Sequence, residues 1–286
     1  MAFDDPTKLF ITHMHLDHCI GIPVLLRDML SRNRRSKDPI EIFGPIGLRE
    51  LIRTVFRLTS STILRDDKYQ VHELITPQES PTPCHSNLLH YNELPGRDIV
   101  CDQNQIWDSF CTARKYRVSA APMTHRVPCL GYVFEELEPP TDADKNSIIA
   151  EPRKIVILGD TSDASAIRGI AQDADLLVHE STFAAVDPNG DENAPQFSRD
   201  FVTEKAIKRG HSTAEMAGRF AKDINARTLA LNHFSARYPG TNHIMRKIEA
   251  EAAQSSGLQG HHIRAAWDML SLRFGPSKSD YEWVYV

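Results

Sequence analysis

The sequence of 286 residues predicts an α/β fold in a single domain. Two observations carry that prediction. Short apolar, β-rich runs recur along the chain, and they are separated by stretches with helical character. Several of those runs end on residues with chemistry in their side chains. Lys8-Leu-Phe-Ile-Thr12 leads into His13, Arg117-Val-Ser-Ala-Ala-Pro-Met123 approaches His125, Ile155-Val-Ile-Leu158 precedes Asp160, and Leu229-Ala-Leu231 leads to His233. The carboxyl ends of strands are where α/β folds place their ligands, so four strand ends could deliver ligands to one edge of a sheet.

Taken in order, the first element is the most informative. After the strand at 8–12 the chain reads His13-Met-His15-Leu-Asp17-His18. Side chains at i, i+2 and i+4 of an extended chain point the same way, so His13, His15 and Asp17 can converge beyond the strand end, with His18 following as the chain turns. Three imidazoles and a carboxylate within six residues are a metal-site composition. With His at 13 of 286 positions, a chance HxHxDH has a probability on the order of 10⁻³. Cys19-Ile-Gly-Ile-Pro23 then opens an apolar helical stretch through Leu30, with Pro23 suited to a first turn. Arg27, Arg32, Arg34, Arg35 and Lys37 lie in eleven residues against one acid, Asp28; this reads first as the solvated end of a helix and second as a contact for RNA backbone.

Residues 78–95 are rich in Pro, Ser, Asn and Thr and read as a loop or insertion, with Cys84 and His85 not ligands. Residues 135–152 read as a second exposed loop, and Asp187-Pro-Asn-Gly-Asp-Glu as a turn. Asp175-Leu-Leu-Val-His-Glu180 places Glu180 at a strand end. Lys205, Lys208 and Arg209 precede His211 and are well placed to meet phosphate. Ser212 or Thr213 can cap a helix running to about Asp223, with Glu215 supporting a capping box. A helix N-terminus there also suits phosphate, which makes Ser212 and Thr213 candidate substrate-binding residues. His261 and His262 read as surface residues near a strand start.

Composition narrows the classes. The chain is 41% hydrophobic and 25% charged, ordinary globular values that exclude a fibrous or mainly disordered protein. A net charge of −5 argues against a surface that coats nucleic acid broadly, while leaving room for a local basic patch. No stretch approaches the roughly 20 apolar residues of a membrane helix. Five cysteines without a CxxC pair and the opening MAFDDPTKLFITH suit reduced thiols and an intracellular location.

The motifs together resemble the metallo-β-lactamase superfamily, and within it the short form of tRNase Z, the 3′-tRNA-processing endoribonucleases. The resemblance rests on Phe10-Ile-Thr-His-Met-His-Leu-Asp-His18 with Gly21-Ile-Pro-Val-Leu-Leu26, on Ala121-Pro-Met-Thr-His125, and on Ile155-Val-Ile-Leu-Gly-Asp160-Thr. It continues through His179-Glu180-Ser-Thr-Phe183, Gly210-His211-Ser-Thr213, His233-Phe-Ser-Ala-Arg-Tyr238 and Ala265-Ala-Trp-Asp268. It implies an αββα sandwich and a dinuclear zinc phosphodiesterase acting on precursor tRNA. His13, His15 and His125 would hold one zinc, Asp17, His18 and His233 the other, and Asp160 would bridge them. The same ligands suit Mn²⁺ or Fe²⁺. Two such ions about 3.5–4 Å apart can bind a hydroxide between them and clamp a phosphodiester for in-line attack. Asp17 would orient that water and accept its proton. His211 would be the general acid on the departing ribose 3′ oxygen, with Glu180 orienting its ring. The family is commonly dimeric, so a homodimer is expected.

Two departures accompany the resemblance. Twelve residues precede His13, where the family carries more chain, including the first strands of one sheet and an Asp-Cys-Gly-Glu-Gly segment. This implies a chain lacking its N-terminal strands. The 34 residues between His125 and Asp160 hold no Gly/Pro-rich arm of the kind that grips the tRNA elbow. The alternatives are therefore a hydrolase of small phosphodiesters such as cyclic nucleotides, and a truncated chain that binds metal or RNA without turnover.

Overall fold

A computed structural model of the chain describes residues 7–31, 38–61, 67–81, 83, 86–137, 152–187, 198–275 and 277–285. It divides into two compact units, Met1–Asp108 with Val127–Leu130, and Ser109–Arg126 with Gly131–Val286.

The first unit begins with β1 (Lys8–Phe10), the single turn α1 (Leu16–Cys19) and α2 (Ile22–Ser31), with Pro23 in the first turn as expected. Then come β2 (Ile40–Pro45), α3 (Leu48–Leu58), β3 (Tyr69–Ile75), β4 (Glu93–Leu94) and β5 (Asp98–Val100). β1, β2 and β3 run parallel side by side, and β3 also pairs in parallel with β4 and β5. Helical crossovers, α2 between β1 and β2 and α3 between β2 and β3, allow those three strands to run parallel. The core gathers Ile40, Ile42, Tyr69 and Val71 of the sheet with Leu26 and Leu30 of α2 and Leu48, Ile52 and Phe56 of α3. The last three recur every four residues, which keeps them on one helix face. Glu73 on β3 caps α3 by accepting the backbone N–H groups of Gly47 and Arg49 at 3.0 Å each. The wholly buried Arg49 guanidinium meets Glu73 at 3.3 Å and Asp98 at 2.9 Å. Among its described residues the loop expected at 78–95 is irregular apart from a 3₁₀ turn at Ser86–Leu88 and, against expectation, β4 at Glu93–Leu94, which pairs with β3; Cys84 and His85 lie outside the described residues.

The second sheet is formed by β6 (Trp107–Ala113), β7 (Tyr116–Met123), β8 (Cys129–Glu136), β9 (Lys154–Ile157), β10 (Leu176–Glu180), β11 (Leu229–Asn232) and β12 (Ile263–Ala265), in the order 12-11-10-9-8-7-6. β9 through β12 are parallel, and β8 is antiparallel to β9. The helices are α4 (Arg199–Lys208), α5 (Ala214–Asp223) and α6 (Asn242–Ser256). α5 packs on α6 and against β10 and β11, while α6 packs against β12. Parallel strands covered this way bury apolar residues, and Leu177, Leu229, Leu231 and Ile263 are fully buried. His261 and His262 stand just before β12, as expected. A hairpin of β13 (Leu270–Phe274) and β14 (Tyr281–Tyr285) follows.

The loop expected at 135–152 starts later than expected, because Glu135 and the buried Glu136 are still in β8, where Glu135 pairs with Lys154 of β9; residues 138–151 of that loop, residues 188–192 of the expected turn and four residues of the basic run (Arg32, Arg34, Arg35, Lys37) lie outside the described residues. The four cysteines described are free thiols. Among the described residues no helix is long and apolar enough to cross a membrane.

Candidate metal centre and active site

In the first unit the backbone pairing of β1 continues past its end, with Ile11 N–H bonded to Phe43 carbonyl at 2.8 Å. This carries the chain to His13, which is fully buried and bridges to Cys129. The His13 ring stands 4.9 Å from that of His15 and 4.1 Å from that of His18, centroid to centroid. Asp17 Oδ2 lies 3.4 Å from His18 Nε2. One expectation is corrected here. The extended alternation ends at His15, because its carbonyl accepts the N–H groups of His18 and Cys19 at 3.0 and 3.1 Å and closes a helical turn. Asp17 and His18 therefore stand on α1 rather than on an extended strand.

In the second unit the sheet delivers its chemistry from the carboxyl ends of parallel strands. Asp160 follows β9, Glu180 is the last residue of β10, and His233 follows β11. His233 has φ +56, a left-handed conformation uncommon outside glycine and enriched for His. The loop after β7 is tied to the loop after β9, since Thr124 carbonyl accepts Ser162 N–H at 2.9 Å. That tie brings His125 to 3.9 Å from Asp160. Phe183 and Thr213 form a parallel bridge, with Phe183 N–H to Ser212 carbonyl at 3.1 Å and Ala214 N–H to Phe183 carbonyl at 3.0 Å. This pairing sets His211 beside Glu180. Tyr238, buried, exchanges hydrogen bonds with the Ala184 backbone at 2.9 and 2.8 Å and docks the His233 loop on the same segment.

The hydrogen bonds determine which imidazole nitrogens carry protons. A carbonyl can only accept, so His125 Nδ1 donates to Gly210 carbonyl at 2.6 Å and its lone pair is on Nε2, the atom facing Asp160. Thr182 Oγ1 donates to the Glu180 carboxylate and accepts from His233 Nδ1 at 2.7 Å. His233 Nε2, again the lone-pair atom, lies 3.4 Å from Asp160 Oδ2. Orientation of a ligating imidazole through its other nitrogen is the usual way protein metal sites are built. One atom each of Asp160, His211 and His233 lie within 4.8 Å of one another. Imidazole nitrogens with their lone pairs exposed to a carboxylate fit a zinc-type donor set.

Glu180 is buried and crowded with donors. It accepts Thr161 N–H at 2.8 Å, Thr182 N–H at 3.2 Å and His211 Nδ1 at 2.9 Å. Burial alone would raise its pKa, but His211 and these donors outweigh it and hold the carboxyl below its usual range. For His211, burial pulls the pKa down, and the Glu180 hydrogen bond with the charges of Glu180 and Asp160 overcomes it, so the net shift is upward. The arrangement can hold a protonated imidazole with Nε2 as the nitrogen left for a substrate.

Ser212 and Thr213 are both buried. Ser212 donates to Thr161 carbonyl at 2.6 Å, and Thr213 accepts Met216 N–H at 3.2 Å as the N-cap of α5. The reciprocal partner in the capping box is Met216, not Glu215, because Met216 occupies the third helical position; Glu215 pairs with Arg219 instead at 3.0 Å. Sequence reasoning missed two residues that shape the site. Thr182 connects Glu180, His233 and His211, the last at 3.3 Å. Gly210 has φ +75, and a Cβ there would stand 2.9 Å from His125 Nδ1. Their only sequence signals were a Thr two places past a strand-end acid and a Gly just before a His.

Comparison with known proteins agrees with this geometry. The sequence profile of the beta-lactamase superfamily domain matches residues 2–234. The human zinc phosphodiesterase ELAC protein 1 is 32% identical over 282 residues, covering 81% of this chain and 72% of its own. Ribonuclease Z of Streptococcus equi subsp. zooepidemicus is 32% identical over 259 residues, covering 86% and 76%. The crystal structure of human tRNase Z, short form (ELAC1), superposes with a TM-score of 0.58 at 35% identity, over 81% of this chain and 73% of that one. The chain thus has the metallo-β-lactamase fold and belongs to the beta-lactamase superfamily, within the family of ribonuclease Z and zinc phosphodiesterase ELAC proteins.

Proposed function

We propose that the chain is a zinc-dependent endoribonuclease of the ribonuclease Z type that removes 3′ trailers from precursor tRNA. The observation that carries this reading is the Glu180–His211 pair at 2.9 Å beside Asp160 and His233. Family membership supports the same reaction class.

In this reading His13, His15, Asp17, His18, His125, Asp160 and His233 are the residues that would hold two zinc ions. When bound, zinc supplies Lewis acidity that makes water a nucleophile near neutral pH and offsets charge on the phosphate. The chain's own groups do the rest. Asp17 orients the attacking water and takes its proton. His211 gives a proton to the departing ribose 3′ oxygen, with the ring held by Glu180 through Nδ1. Gly210 and Thr182 hold the rings of His125 and His233 in the tautomer that leaves Nε2 for the metal. The homodimer expected of the family belongs to this reading, and light scattering of the purified chain tests it.

The test of function is cleavage of a 3′-extended precursor tRNA by the zinc-loaded chain, with a cut just after the discriminator base. Hydrolysis of bis-p-nitrophenyl phosphate without tRNA cleavage would move the assignment to a small-phosphodiester hydrolase. Absence of both activities with zinc bound would leave a binding protein.

A further inference from the structure

The second unit carries three guanidiniums around His211 that the reaction as described does not use. Arg209 lies two residues before His211, on the exposed end of α4. Its guanidinium stands 6.0 Å from the centroid of the Phe183 ring. Arg237 covers the same ring at 4.9 Å and is steadied by a hydrogen bond from its Nε to Ser235 Oγ at 3.1 Å. Phe183 is itself buried, and its centroid is 6.4 Å from that of His211. Arg126 follows His125, and its Cγ would lie 3.3 Å from a Cβ at Gly210. All three arginines are exposed, and among the described residues none forms an ion pair with a carboxylate. Stacking on an aromatic face holds a guanidinium in place while leaving its N–H edge outward, which is the edge that meets phosphate oxygens.

The geometry points to Arg126, Arg209 and Arg237 as a cradle for phosphates of an RNA strand on either side of the linkage that His211 serves. This rests on the endoribonuclease reading and deepens it. A small diester offers one phosphate, whereas a polynucleotide offers several, and only the latter makes use of cations spread around the acid.

The test measures binding separately from turnover. Affinity of the full chain for a fluorescent 3′-extended tRNA is followed by anisotropy across a salt series. Arg209→Met and Arg237→Met keep the stem over Phe183 and remove the charge. Together they are expected to weaken binding about tenfold or more and to lower the slope of log affinity against log salt by about 0.7–0.9 for each phosphate no longer neutralised. Arg209→Lys with Arg237→Lys restores most of the slope, which a merely structural cover over Phe183 would not require. Arg168→Met, which removes a surface pair with Asp223, serves as the control and leaves the slope unchanged. Unchanged slope and affinity in the double Met variant overturn the cradle, as does failure of the parent chain to bind the RNA. Binding with the expected slopes but no cleavage by the parent upholds the cradle and refutes the nuclease reading instead.

Discussion

Gly210→Ala separates the cost of a backbone conformation from the cost of a displaced ligand. Gly210 and Gly257 have nearly the same dihedral, φ +75 and +74, but a Cβ at Gly257 meets nothing within 4 Å. Gly257→Ala, at the C-cap of α6, therefore carries only the left-handed penalty of about 1–2 kcal/mol. Gly210→Ala carries the same penalty and also sets a methyl 2.9 Å from His125 Nδ1. Ordinary contact needs the imidazole to retreat by about half an ångström, more than twice the roughly 0.2 Å tolerance of a metal–ligand distance. It would do so while losing its 2.6 Å hydrogen bond to the Gly210 carbonyl. Disturbing the group that orients a ligand costs about 10–100-fold in metal affinity, equivalent to about 1.4–2.7 kcal/mol. Urea titration of both variants should show similar losses in the metal-free protein. Chelator competition should show weakened zinc uptake in Gly210→Ala alone. Equal zinc affinity in the two variants would refute the role given to Gly210.

Other consequences can be measured on the same protein. His211→Ala should lower kcat by about 10²–10⁴ while zinc content by elemental analysis stays at the parent value; loss of metal would contradict the acid assignment. Thr182→Val, which keeps the shape but removes the hydroxyl between Glu180 and His233, should weaken zinc binding about 10–100-fold. Thr182→Ser should restore it, and identical behaviour of the Val and Ser variants would argue against a hydroxyl relay. His72, buried beneath Arg97 N–H at 3.1 Å, has its pKa pushed down to about 4, chiefly by burial and secondarily by Arg97, Lys8 and Arg49. The unfolded chain then binds the extra proton between about pH 6.5 and 4, so stability should be present in full above that window and decline as pH falls through it. His72→Asn should flatten that part of the urea-midpoint profile; an unchanged slope would assign it to other groups.

The sequence made some of this legible and hid the rest for physical reasons. Strand ends could be read because buried parallel strands are short apolar runs with abrupt polar ends, as at Leu229–Asn232 before His233. The limits of α5 were legible because Thr213 is a good N-cap and the helix does stop at Asp223. The turn at His15 was not, since HxHxDH alternates well enough to look extended, and only the backbone bonds from His18 and Cys19 reveal the helical turn. The partner of Thr213 was misjudged because the acidic residue sits one position early and a thioether takes its place. Thr182 was illegible in principle. Its value comes from touching residues 2, 29 and 51 positions away at once, and no local pattern encodes that.

The peptide between Gly210 and His211 is a single rigid plane. Its carbonyl orients His125, and its N–H, bonded to Ala206 carbonyl at 3.0 Å, anchors the residue that carries the acid. Turning that plane would release both at once. In the proposed reaction a ligand and the proton donor are thus tied to one peptide, so loosening this loop disturbs both. In that reading, motion of the 210–211 peptide seen in exchange or relaxation measurements should go with weaker metal binding and weaker acid catalysis together.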